Sequence, residues 1–152
     1  MEYILLLTAC INPDGMPFTC LADVGVRKKQ YIEALNFYLK NTTRKIVFVE
    51  NSGTDISSSF KDFQHRIEFL CFDGNLCFDK RKGKGYGEAL ILEYAMAKSE
   101  FITDDVLIFK LTGRLQLINI NRLIHYMDKL SPSWNFVCVV PPRTYCGDAG
   151  GL

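Results

Sequence analysis

The sequence predicts an α/β protein built on a mostly parallel sheet with helices on both faces. Three observations lead there. Short runs rich in apolar and β-branched residues recur at 3–10, 45–50, 67–72 and 105–111, which is the length and composition of strands. Between them lie stretches whose apolar residues return at helical spacing. The runs also lack the alternation of apolar and polar residues that a half-solvated strand shows, so they suit strands covered on both sides.

Size and composition agree with one domain. The chain has 152 residues, 48% hydrophobic and 23% charged, enough for a soluble globule with its own core. A net charge of +1 argues against broad nucleic-acid binding, which needs a cationic face. Six cysteines, at 10, 20, 71, 77, 138 and 146, form no CxxC pair; Cys10, Cys71 and Cys138 fall in or beside apolar runs and are expected as reduced core thiols. His65 and His125 stand apart from any cysteine pair, so no zinc pattern is present. The apolar run 3–7 is too short to span a membrane and has no basic stretch ahead of it. It is expected as a buried strand of a cytoplasmic protein without a transmembrane segment.

In chain order, the first strand at 3–10 ends in Ile11-Asn12-Pro13-Asp14-Gly15, and a long loop follows over 12–23. Such loops often carry function. A helix is predicted over 24–40, burying Tyr31, Ile32, Leu35 and Tyr38 and turning Arg27, Lys28, Lys29 and Glu33 to the other face. Asn41-Thr42-Thr43 stops it. The second strand, 45–50, ends in Glu50-Asn51-Ser52-Gly53, at the carboxyl end where open α/β sheets bind ligands. Glu50 or Asn51 could grip a base or a ribose hydroxyl there, or the four residues could simply make a turn. A shorter helix over 55–65, capped by Asp55 or Ser57, leads to the third strand at 67–72.

Residues 73–85 form a glycine and lysine loop, and Gly83-Lys84-Gly85-Tyr86-Gly87-Glu88 runs into a helix over 88–98. Glycines at alternate positions let backbone amides approach a ligand, and the helix start offers free N–H groups and a positive dipole end. With Arg81, Lys82 and Lys84 close by, a phosphate or diphosphate is the natural guest, although the spacing is neither a Walker A loop nor GxGxxG. A basic loop that only separates strand from helix is the other reading. The fourth strand, 105–111, leads into Thr112-Gly113-Arg114, where Arg114 is placed for a phosphate or carboxylate, or for a surface acid. A helix over 119–128 follows, whose His125 is given no catalytic role. A fifth strand is predicted at 136–140, before Pro141-Pro142. The domain is drawn at 1–146, with 147–152 as a disordered or truncated tail.

Right-handed crossovers would bring the loops after Thr8, Glu50, Asp73 and Lys110 to one sheet edge. At that edge stand Thr8-Ala9-Cys10-Ile11-Asn12-Pro13, Val47-Phe48-Val49-Glu50-Asn51-Ser52, Gly83-Lys84-Gly85-Tyr86-Gly87-Glu88-Ala89 and Phe109-Lys110-Leu111-Thr112-Gly113-Arg114. Over residues 3–146 these motifs resemble the Rossmann-like nucleotide-binding half of GT-A-type glycosyltransferases, and in particular bacterial proteins of surface-polysaccharide gene clusters. The resemblance implies transfer of a sugar from a nucleotide-diphosphate donor to a glycan acceptor. Thr8 would belong to the nucleotide-sugar site, residues of the first loop such as Asn12, with Glu50 or Asn51, would hold base and ribose, Lys84 and Gly85 would lie near the diphosphate, and Lys110 or Arg114 would stabilise the leaving group. No catalytic base is assigned.

Two departures from that family stand out. No Asp-x-Asp metal motif closes the fourth strand, so a need for Mg²⁺ or Mn²⁺ is left open; Asp148 is the one carboxylate after the fifth strand. No acceptor-binding half follows, which suits a truncated, inactive or partner-dependent form. The alternative reading is therefore a non-catalytic module that binds a nucleotide or nucleotide-sugar. Peripheral membrane association and a homodimer are compatible with either.

Overall fold

The computed structural model describes residues 2–17 and 19–129. The fifth strand expected at 136–140, Asp148, Cys138, Cys146 and the tail at 147–152 lie outside them. Four strands, β1 (Glu2–Ala9), β2 (Lys45–Glu50), β3 (Ile67–Cys71) and β4 (Val106–Thr112), form one all-parallel sheet in the order β3-β2-β1-β4. Helix α1 (Val24–Asn41) connects β1 to β2, α2 (Lys84–Lys98) connects β3 to β4, and α3 (Ile120–Asp128) follows β4. The fold is Rossmann-like α/β, as the alternation of strand and helix predicts. Among the described residues no helix is long and apolar enough to cross a membrane.

β1 is the centre of the sheet, and seven of its eight residues are buried. Successive side chains of a strand point to opposite faces, so β1 feeds two cores at once. Tyr3, Leu5, Leu7 and Ala9 pack with Tyr31, Leu35 and Tyr38 of α1 and with Ile120 and Ile124 of α3. Ile4 and Leu6 pack with Val47, Val49 and the Ile91 and Ala95 of α2. Helices therefore cover both faces, which is why the strand carries no polar alternation.

Local chemistry sets the element ends. Asp23 caps α1 by accepting from the Val26 N–H at 2.7 Å, and the chain leaves that helix at Thr42 in an extended conformation. The shorter helix expected over 55–65 is instead a 3₁₀ segment, Ser57–Phe63, broken at Phe60. Asp55 takes hydrogen bonds from both the N–H and the hydroxyl of Ser57, and serines compete with the helical ladder for the backbone. Phe60, 2% exposed, is drawn down against Phe69 with ring centroids 5.7 Å apart. Helix α2 also differs, starting at Lys84, so Gly85 and Gly87 belong to its first turn rather than to the preceding loop. Of the three glycines in this motif only Gly83, at φ +81°, needs the left-handed region that glycine tolerates.

Candidate functional site

The chain moves outward from β1 to β2 and β3, then returns to place β4 on the other side of β1. In open α/β sheets ligands bind outside the carboxyl ends of the strands at that reversal. Register aligns the ends: Thr8 lies beside Val49 and Thr112, Ala9 beside Glu50, and Glu50 beside Cys71. A cleft of about 460 Å³ opens there, between the loop after β1, the first turns of α2 and the end of β4. A smaller hollow of about 100 Å³, lined by Asn12, Asp14, Ser52, Asp73 and Asn75, adjoins the ends of β2 and β3.

One wall of the cleft is pinned by two buried charges. Glu50, 1% exposed, accepts from the Ile11 N–H at 2.8 Å, from the Ser52 N–H at 2.9 Å, from the Thr54 N–H at 2.8 Å and from the Ser52 hydroxyl. Arg27, 7% exposed, donates to the carbonyls of Cys10, Ile11 and Leu21 at about 3 Å. Ile11 is thus held by its N–H from one side and by its carbonyl from the other. Among the described residues Arg27 makes no ion pair with a carboxylate. The two charges face each other only through the backbone that they hold.

That network shapes its neighbours. Burial, and next the Glu50 charge, push the thiols of Cys10 and Cys71 up to about 11. The Tyr31 hydroxyl accepts from the Cys10 N–H at 3.0 Å, and burial raises its pKa. At the end of β4, Gly113 donates its N–H to the Thr8 carbonyl at 2.9 Å. A Cβ at position 113 would lie 2.8 Å from that carbonyl and 3.1 Å from the Tyr31 ring, so this glycine is required by close packing.

The other wall is polar and incompletely satisfied. Asn51, 3% exposed, lines the cleft, and its side-chain oxygen is buried with no hydrogen-bond partner among the described residues. Next to it, Gly87 lets α2 approach closely: a Cβ there would sit 3.1 Å from the Phe78 ring and 3.9 Å from the Asn51 Nδ2. At the next position of α2, Glu88 lines the cleft and accepts from the Thr8 hydroxyl at 2.7 Å through Oε1, which also pairs with Lys110. Lys84 and Arg114 line the same cavity, Arg114 also donating to Gln30 at 3.1 Å.

The residues expected to act together are therefore partly gathered. Thr8, Asn51, Lys84 and Arg114 share the cleft, and Asn12 lies in the adjoining hollow. Glu50 sits beneath both, its oxygens occupied by backbone and by Ser52. Gly85 faces open space, and Lys110 reaches the cleft through Glu88. Arg81 and Lys82, the other cations of the basic turn, have local partners: Arg81 pairs with Asp79 at 2.7 Å, and Lys82 lies 4.4 Å from the Tyr86 ring centroid. Arg27 departs from expectation by turning inward from α1 rather than joining Lys28 and Lys29 on the solvated face.

Fold and cleft together define a doubly wound α/β protein whose switch-point site offers cations and hydrogen-bond acceptors side by side. Comparisons with protein-family models, with curated proteins and with solved structures found no match to this chain. Among the described residues no three His, Cys, Asp or Glu side chains cluster so as to hold a metal ion.

Proposed function

We propose that this protein is glycosyltransferase-like, taking a nucleotide-diphosphate sugar in the switch-point cleft and passing the sugar to a glycan acceptor in bacterial cell-surface polysaccharide synthesis. The observation that carries this reading is the pairing, in one cavity, of the cations Lys84 and Arg114 with the acceptors Glu88 and Asn51. A ligand that satisfies both is anionic at one end and rich in hydroxyls at the other. The motifs that resemble GT-A-type enzymes line the same edge and support the same reading. Displacement at the anomeric carbon by an acceptor hydroxyl would leave charge on the departing diphosphate, where Lys84 and Arg114 act by charge-assisted hydrogen bonds.

A second reading, a nucleotide-sugar-binding module without turnover, is favoured by one observation. The single carboxylate among the described residues lining the cleft, Glu88, is already engaged by Lys110 and Thr8. One panel tests both readings. Thermal unfolding is followed with UDP, GDP, CMP, dTDP and the UDP- and GDP-hexoses, each with and without Mn²⁺, and free nucleoside diphosphate is then assayed with glycan acceptors. A selective rise in melting temperature is expected, since a ligand of the folded state stabilises by mass action. Release of the diphosphate on adding acceptor marks a transferase; binding without release marks the module. No shift with any member contradicts both.

A further inference from the structure

Both readings count Glu88 among the groups lining the cleft without saying which part of a ligand it meets, and its place is unusual. Position 88 lies on the same stripe of α2 as the buried Ile91 and Ala95, at the i, i+3, i+7 spacing that faces the sheet. The Glu88 side chain is 36% exposed, so its carboxylate stands at the mouth of that apolar face rather than within it. Here Oε1 takes both partners, the Thr8 hydroxyl from β1 and the Lys110 ammonium from β4. Among the described residues Oε2 makes no hydrogen bond. Asn51 stands in the same cavity with a second unpartnered oxygen. Glu88 Oε2 and Asn51 Oδ1 are thus acceptors of the cleft without donors among the described residues, beside the buried and likewise unpartnered Thr19 hydroxyl.

We infer that Glu88 is a specificity-determining residue that recognises the hydroxyls of a neutral hexose through Oε2, with Asn51 Oδ1 accepting from a second hydroxyl of the same ligand. Hydroxyl-to-carboxylate hydrogen bonds are the strong, charge-assisted kind. The same negative charge repels a uronic or other acidic sugar, so the site selects against a carboxylate on the sugar. This inference rests on the nucleotide-sugar reading above and adds which end of the donor Glu88 touches.

Calorimetric titration of wild type, Glu88→Gln and Glu93→Gln tests it, using UDP and GDP as probes beside UDP-glucose, UDP-glucuronic acid and GDP-mannose. Glu93 lies on the exposed side of the same helix, so its variant changes the net charge equally without touching the cleft. In wild type the neutral hexose is expected to tighten binding over the bare diphosphate. Glu88→Gln is expected to remove about tenfold of that gain, to leave diphosphate affinity within about twofold, and to relax rejection of UDP-glucuronic acid. Glu93→Gln is expected to keep the wild-type pattern. If hexose diphosphates bind Glu88→Gln and wild type alike, the inference fails while the nucleotide site stands. If neither the diphosphates nor their hexose conjugates bind wild type, the nucleotide-sugar reading itself fails.

Discussion

Glu50 and Asn51 are neighbours in sequence at the end of β2, yet they stand in opposite conditions. Every oxygen of Glu50 is occupied, by the N–H groups of Ile11, Ser52 and Thr54 and the Ser52 hydroxyl. The Asn51 side-chain oxygen is buried and has no partner among the described residues. Buried polar groups in folded proteins are satisfied as a rule, so the first residue builds the protein and the second is left for something else. The contrast extends outward from each. Glu50 shares the loop after β1 with Arg27 and Tyr31, which line the cleft too but spend their hydrogen bonds on that loop's backbone. Around Asn51 lie Lys84, Glu88 and Arg114, which face a cavity.

The comparison breaks most readily at Glu50. Glu50→Ala removes the acceptor of three backbone N–H groups and of the Ser52 hydroxyl. A loss of about 3–5 kcal/mol of stability is expected, the scale for breaking a buried charged network. Urea denaturation measures it, and a loss below about 1 kcal/mol would make the closed region no more than a surface turn. Gly113→Ala is the next largest. Its Cβ has nowhere to go between the Thr8 carbonyl and the Tyr31 ring, and overpacking of that kind costs about 1–3 kcal/mol. Wild-type stability in this variant would show that the end of β4 yields easily.

A smaller effect is read from pH. Cys10 and Cys71 have pKa values raised from 9.0 to about 11 in the folded state, first by burial and next by Glu50. A raised pKa means that the unfolded chain releases these protons first as the pH climbs. The contribution is therefore fully present below about pH 9 and lost as pH rises through about 11. Melting temperatures between pH 8 and pH 11 should fall in wild type and fall less in Cys10→Ala with Cys71→Ala. Equal slopes would contradict burial of the thiols beside Glu50.

The legible part of this molecule was its sheet. The apolar runs that become β1 and β2 are buried on both faces, which is what continuous hydrophobicity records, whereas β4, read from the same kind of run, has no fully buried residue. Side-chain partners were harder to read, because they depend on segments far apart in the chain. Arg27 sits among Lys28 and Lys29 in a helix, and only the loop carbonyls at Cys10, Ile11 and Leu21 show why it turns inward. Arg81 and Lys82 look to a sequence reader like members of a phosphate site, but Asp79 and Tyr86 engage them and neither lines the cleft. The break at Phe60 follows from one aromatic contact across the core. Glu88 did leave a signal: a charge on the stripe shared with Ile91 and Ala95.

The most direct test of the division between closed and open regions is thermal unfolding of Asn51→Leu, alone and with the nucleotide-diphosphate sugar that most stabilises wild type. Replacing an unsatisfied buried amide by an apolar group of similar size is neutral or stabilising, by up to about 1 kcal/mol. The variant should thus melt at or above the wild-type temperature without ligand and lose most of the ligand-induced rise. A variant that melts lower alone yet keeps the full rise would place Asn51 with Glu50 among the structural residues, and the cleft would have no claim to be a binding site on its account.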